Sequence, residues 1–106
     1  TSLRIDDNQL TDVKPLENLT QLEWLLLRGN KLTDVKGLEK LTQLTELLLI
    51  NNKLTNVKGL EKLTRLAKLY LQNNKLTKAQ IDELKKSLPN CNILSNPTKQ
   101  PHEVTP

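Results

Sequence analysis

Apolar positions along the chain fall into one template, L-x-x-L-x-L-x-x-N-x-L-x-x-V-x-x-L-x-x-L, used twice in succession between Leu22 and Arg65. The first half of the template alternates apolar and variable residues with period two, as a short half-buried strand requires. The second half spaces apolar residues every three, as a tight helical or turn-like return requires. The two copies, LEWLLLRGNKLTDVKGLEKLTQ (22–43) and LTELLLINNKLTNVKGLEKLTR (44–65), share sixteen of twenty-two residues without a gap. A fixed period of this size indicates a solenoid. One copy alone has no second layer to cover Leu22, Leu25, Leu27, Leu32, Val35, Leu38 and Leu41, so successive coils must stack and share one core. Five parallel strands are predicted near residues 2–6, 24–28, 46–50, 68–72 and 91–93.

An asparagine recurs where the chain leaves each strand: Asn8, Asn30, Asn52, Asn74 and Asn96. Turn backbone that is buried must be satisfied, and the amide of each asparagine is predicted to bond the backbone of adjacent coils as a structural ladder. The first coil, residues 1–21, carries Leu3, Ile5, Leu10, Val13, Leu16 and Leu19 in register, with Pro15 where Gly37 and Gly59 stand later. No coil precedes it, so its edge is predicted to expose a strand and a slice of core. Thr1 is not a methionine, which we take to mean that preceding chain has been removed.

After residue 76 the pattern changes. Thr77-x-x-Gln80 has the form of a capping box. Ile81, Leu84 and Leu88 then share one helical face opposite Asp82, Glu83, Lys85 and Lys86, so an amphipathic helix is predicted over 78–88. Leu88, Cys91, Ile93 and Asn96 each lie 22 residues beyond Leu66, Leu69, Leu71 and Asn74. That arithmetic gives a fifth strand, places Cys91 inward beside Leu69 as a small buried residue, and makes 77–96 a C-terminal cap. Residues 97–106 contain three of the five prolines and the lone His102, and read as a disordered tail or linker.

These residues carry a resemblance. The recurring L-x-L-x-x-N core and the L-T-D-V-K stretch over residues 2–96 resemble the leucine-rich repeat family. The 22-residue unit resembles the subclass found in bacterial internalins and in a phosphatase-regulating nuclear protein of eukaryotes. The resemblance implies an α/β solenoid: a right-handed coil with a concave parallel β-sheet, irregular or 3-10 convex returns and a C-terminal helical cap. It also implies a binding function, usually of proteins, and for the bacterial subclass a secreted or cell-surface location. The residues themselves select no compartment.

Composition adds exclusions. The chain has 106 residues, enough for one domain, and 36% hydrophobic residues, which is low for a compact globule and suits a solenoid. No apolar run is long enough to span a membrane. The net charge of +4 is spread in rows (Lys31, Lys53, Lys75; Lys14, Lys36, Lys58; Lys40, Lys62) beside Glu17, Glu39 and Glu61. A solvated outer face explains those rows, and three arginines with two aromatics are poor equipment for tracking nucleic acid. One cysteine and one histidine supply no catalytic constellation. We expect no catalytic residue, no metal and no cofactor.

Function is therefore expected on a surface. Outward strand positions stack into three predicted rows: Ser2, Trp24, Glu46, Lys68, Asn90; then Arg4, Leu26, Leu48, Tyr70, Asn92; then Asp6, Arg28, Ile50, Gln72, Leu94. Copies 22–43 and 44–65 differ at six positions. Four lie on the strand side: Glu23/Thr45, Trp24/Glu46, Arg28/Ile50 and Gly29/Asn51. The candidate protein-binding set is Trp24, Leu26, Leu48, Ile50 and Tyr70, rimmed by Arg28, Glu46, Lys68 and Gln72. Isolated exposed apolar residues are also ordinary on strands, which is the structural alternative. A second class of function is a scaffold fragment of a longer array that self-associates, as a homo-oligomer, through its N-terminal edge.

Overall fold

A computed structural model describes residues 1–96; the tail predicted for 97–106 lies outside the described residues. The chain forms β1 (Ser2–Arg4), β2 (Trp24–Leu26), β3 (Glu46–Leu48), β4 (Lys68–Tyr70), α1 (Lys78–Ser87) and β5 (Asn92–Leu94). The strands make one sheet in chain order, each parallel to the next. Parallel neighbours cannot be joined by a hairpin, so each connection crosses back over the core. Three of these returns hold 3-10 turns, at Lys14–Leu16, Leu38–Lys40 and Leu60–Lys62.

Alternation along each strand sorts side chains into core and surface. Leu25, Leu47 and Leu69 are fully buried, as are Leu27, Leu49, Leu32 and Leu54 on the way out of the strands. Return residues Leu38, Leu41, Leu60 and Leu63 close the core from the other side, also at 0% exposure. Burying one leucine of this kind contributes roughly 2 kcal/mol, and the period of 22 aligns such leucines coil after coil.

Asparagine amides join the coils where backbone groups would otherwise be stranded. Asn52 Nδ2 donates to Leu27 O at 3.0 Å and Leu49 O at 3.1 Å, and its Oδ1 accepts from Leu32 N at 3.2 Å. Asn30 and Asn74 repeat the arrangement. All three are buried, at 5%, 7% and 9% exposure. Asn8 and Asn96 differ. The Asn8 amide donates locally to Asp6 O. Asn96 is exposed and pairs with Asn73 instead: its Oδ1 accepts from Asn73 N and its Nδ2 donates to Asn73 Oδ1.

In the first four coils the exit from the strand passes through a left-handed backbone: Asp7, Gly29, Asn51 and Asn73 have φ between 54° and 73°. Asp, Gly and Asn are the residues that tolerate this region. The Gly29/Asn51 difference therefore answers a conformational demand rather than marking divergence of a binding surface. Gly37 and Gly59, at φ 103° and 107°, open the later returns. Pro15 cannot adopt such a φ. It sits instead in the first turn of a 3-10 segment at Lys14–Leu16, two residues earlier in the repeat than Leu38–Lys40.

The cap begins as its sequence predicts. Thr77 Oγ1 accepts from Gln80 N while Gln80 Oε1 accepts from Thr77 N, a complete capping box. Ile81, Leu84 and Leu88 are buried. The register beyond the helix departs from the 22-residue arithmetic. Lys68, Leu69 and Tyr70 pair with Asn92, Ile93 and Leu94, an offset of 24. Ile93 thus takes the place beside Leu69 that was assigned to Cys91. Cys91 precedes the strand and is half-buried. A ten-residue helix in place of the irregular return lengthens the coil by two residues.

Candidate functional site

The strands present their outward residues in rows held by the sheet's hydrogen bonds. One row is Ser2, Trp24, Glu46, Lys68 and Asn92; the next is Arg4, Leu26, Leu48, Tyr70 and Leu94. Asn92 and Leu94 replace the predicted Asn90 and Asn92, because β5 is offset by two residues. Bonds such as Leu27 N to Leu48 O (2.9 Å) and Leu71 N to Leu94 O (2.7 Å) fix that alignment beyond the strands. A third set, Asp6, Arg28, Ile50 and Gln72, follows on the next outward positions, stacked by Asp7 N to Arg28 O, Gly29 N to Ile50 O and Asn51 N to Gln72 O.

The middle row is the apolar one. Leu26, Leu48 and Tyr70 are half-buried and run without interruption into Leu94, which is 37% exposed. Trp24 flanks Leu26 and is 53% exposed, the most open large hydrophobic side chain among the described residues. Ile50 lies beside Leu48 on the other flank. These side chains thereby share one face, and Leu94, expected outward but in the Gln72 row, stands in the Tyr70 row instead. A shift of two residues keeps inward and outward sides unchanged, so alternation carried no signal of it.

Charges around the row divide into paired and unpaired. Arg4 Nε meets Asp6 Oδ2 at 2.7 Å, and Asp6 Oδ1 accepts from Arg28 N at 3.0 Å, which closes the N-terminal end of the row. Among the described residues no ion pair engages Arg28, Glu46 or Lys68. Arg28 and Lys68 are exposed and Glu46 is half-buried. Gln72 is half-buried too, and its Oε1 is enclosed with no hydrogen-bond partner among the described residues.

The outer face is chemically different. Lys40 pairs with Glu17 at 3.3 Å, and Glu39 and Glu61 turn back to accept the Gly37 and Gly59 N–H groups at 2.8 Å. The Glu39 carboxyl lies below its ordinary value through bonds from its own backbone amide and that of Gly37. A groove of about 560 Å³ separates α1 from the third return, lined by residues that include Val57, Lys58, Glu61, Glu83 and Leu84. Burial pushes the Cys91 thiol up, away from the thiolate. Among the described residues no three His, Cys, Asp or Glu side chains are placed to hold a metal ion. No helix among them is long and apolar enough to cross a membrane.

Comparison with known proteins places this geometry. The family described as "Leucine Rich repeats (2 copies)" matches residues 20–61 and 42–90, together more than half of the chain. An internalin (inlF) from Listeria monocytogenes is 33% identical over 93% of this chain and 30% of its own, with a TM-score of 0.84. A leucine-rich repeat protein of Leptospira interrogans is 35% identical over 88% of this chain and 24% of its own, with a TM-score of 0.80. The functional domain of InlJ from Listeria monocytogenes, which includes a cysteine ladder, is 33% identical over 92% and 21%, with a TM-score of 0.77. The chain spans 30% or less of the length of each of these three. No curated protein matches the sequence. The family model spans more than half of the chain and these solved structures share both its fold and about a third of its residues, so the chain belongs to the leucine-rich repeat family, in its bacterial, internalin-like branch.

Proposed function

We propose that this chain is a non-catalytic module that binds a protein or peptide on its concave sheet face. Solenoids of this family typically serve as protein-binding modules, and their curvature supplies an extended concave surface. One observation carries the choice of face: Leu26, Leu48, Tyr70 and Leu94 align across four strands with Trp24 beside them, although the core needs none of these side chains. Central apolar and aromatic anchors are where truncation of a binding site loses ~2 kcal/mol or more. Rim charges such as Arg28, Glu46 and Lys68 act mainly on association rate and salt response.

The test compares faces. A protein partner captured by the intact chain should be lost with Trp24→Ala plus Tyr70→Ala and kept when Lys36, Lys40, Lys58 and Lys62 are all changed to Ser. The reverse pattern would move the site to the outer face. A second reading, self-association through the first coil, draws support from the half-burial of Leu3, Ile5 and Leu10 where Leu25, Leu27 and Leu32 are fully covered. A coil contributed by a second copy, or by chain preceding Thr1 in a longer protein, would cover the same edge. Sedimentation across a concentration range separates a self-associating chain from a monomer.

A further inference from the structure

We propose that the occupant of the concave row is an amphipathic α-helix lying along the solenoid axis, across the strands, with acidic residues on both sides of its apolar stripe. This rests on the concave reading above and adds the class of partner. The row Leu26, Leu48, Tyr70 and Leu94 offers one side chain per strand. Neighbouring strands lie about 4.8 Å apart, so the row spans about 14 Å over three steps. A helix returns the same face every turn, about 5.4 Å, and drifts only about 2 Å from the row over those three steps. An extended segment returns the same face every two residues, about 6.7 Å, and drifts about 6 Å, more than one strand spacing. Polyproline II, at about 9 Å per turn, misses every second position. Only the helix keeps its apolar residues in phase with all four side chains.

The charges around the row select the flanks of that helix. Arg28 stands on one side and Lys68 on the other, both exposed and neither ion-paired among the described residues. A partner approaching along the row therefore meets an unpaired cation on each side, complementary to carboxylates flanking its apolar stripe. Glu46 asks for one basic residue on the Trp24 side. Arg4 and Asp6 neutralise each other at 2.7 Å and end the row, leaving room for about three helical turns.

The test is a selection of displayed random peptides against the full chain, from two libraries of equal depth. One library is patterned with apolar residues at i, i+4, i+7 and i+11, the other with strict alternation. The expected result is enrichment from the first library only, with Asp or Glu beside the stripe. Synthetic copies should gain helicity on binding and weaken at least about tenfold against Leu48→Lys and against Tyr70→Lys. With Arg28→Glu plus Lys68→Glu the acidic peptides should weaken, and versions carrying Lys at the flanks should bind instead. Far-UV circular dichroism confirms that each variant is folded. Enrichment of alternating peptides whose binding falls with Leu48→Lys would overturn the helix and leave the concave reading standing. Binders indifferent to both Leu48→Lys and Tyr70→Lys, or no enrichment from either library, would overturn both.

Discussion

Asn52→Ala should destabilise the chain far more than the loss of one surface amide. Asn52 makes three bonds that matter: donations to Leu27 O and Leu49 O and acceptance from Leu32 N. The two carbonyls are shared, because Asn30 also donates to Leu27 O and Asn74 to Leu49 O, so each retains a partner. Leu32 N loses the partner it has in Asn52. Two shared bonds at about 1 kcal/mol each, plus one buried amide left unpaired at about 1–3 kcal/mol, give about 3–5 kcal/mol. Asn8→Ala is the control, since that side chain is exposed and makes one local bond to Asp6 O. Its effect should stay within about 0.5 kcal/mol. In urea, followed by far-UV circular dichroism, a slope near 1.5 kcal/mol per molar converts the Asn52 effect into a midpoint shift of about 2 M or more, with the slope unchanged. A shift for Asn52→Ala within about 0.5 M of that for Asn8→Ala would refute the ladder as a source of stability.

Gly37→Ala should destabilise by more than about 1 kcal/mol, because φ is 103° and a Cβ would stand 3.1 Å from Lys14 Cα; urea midpoints report it. Glu39 is held below its ordinary value of 4.5 by backbone bonds from its own amide and Gly37. A depressed folded value means stabilisation complete above the unfolded value and lost as pH falls through the folded one. The midpoint difference between about pH 7 and about pH 3 should therefore narrow in Glu39→Gln. The half-buried Cys91 thiol, raised by desolvation, should alkylate with iodoacetamide more slowly at about pH 8 in the folded chain than in urea, and equal rates would contradict its placement.

Much of the fold could be read because a short repeat couples every level of structure. Alternation around Leu25 and Leu47 predicts which residues face inward, and the Thr77 and Gln80 pair marks where the irregular return gives way to a helix. The C-terminal register could not be read the same way. Offsets of 22 and 24 both keep Ile93 inward, so the sequence pattern is blind to the choice, and the rise of α1 decides it. An offset of 22 sets Leu94 one row away from Tyr70 and Cys91 in the core, whereas the observed offset of 24 sets Leu94 beside Tyr70 and leaves Cys91 half-buried before the strand. The left-handed position was legible in principle, since Asp7, Gly29, Asn51 and Asn73 share a backbone tolerance rather than a chemistry. The apolar row is legible because Leu26, Leu48 and Tyr70 are apolar at outward positions where the repeat does not require it.

The buried asparagines point one way along the molecule. Asn30 satisfies Leu10 N, Asn52 satisfies Leu32 N and Asn74 satisfies Leu54 N, each reaching back across 20 residues to the coil before its own. A chain emerging from the ribosome therefore finishes each coil only when the following asparagine has been translated and has left the exit tunnel. The growing end always trails one unsealed turn, and the last complete coil waits for the cap. At about 5–20 residues per second that delay lasts about 1–4 s per coil. A translational pause once Asn52 has cleared the tunnel, but before Asn74 has, would thus hold the coil of Leu54 open, whereas a pause after Asn74 has cleared it would leave that coil closed.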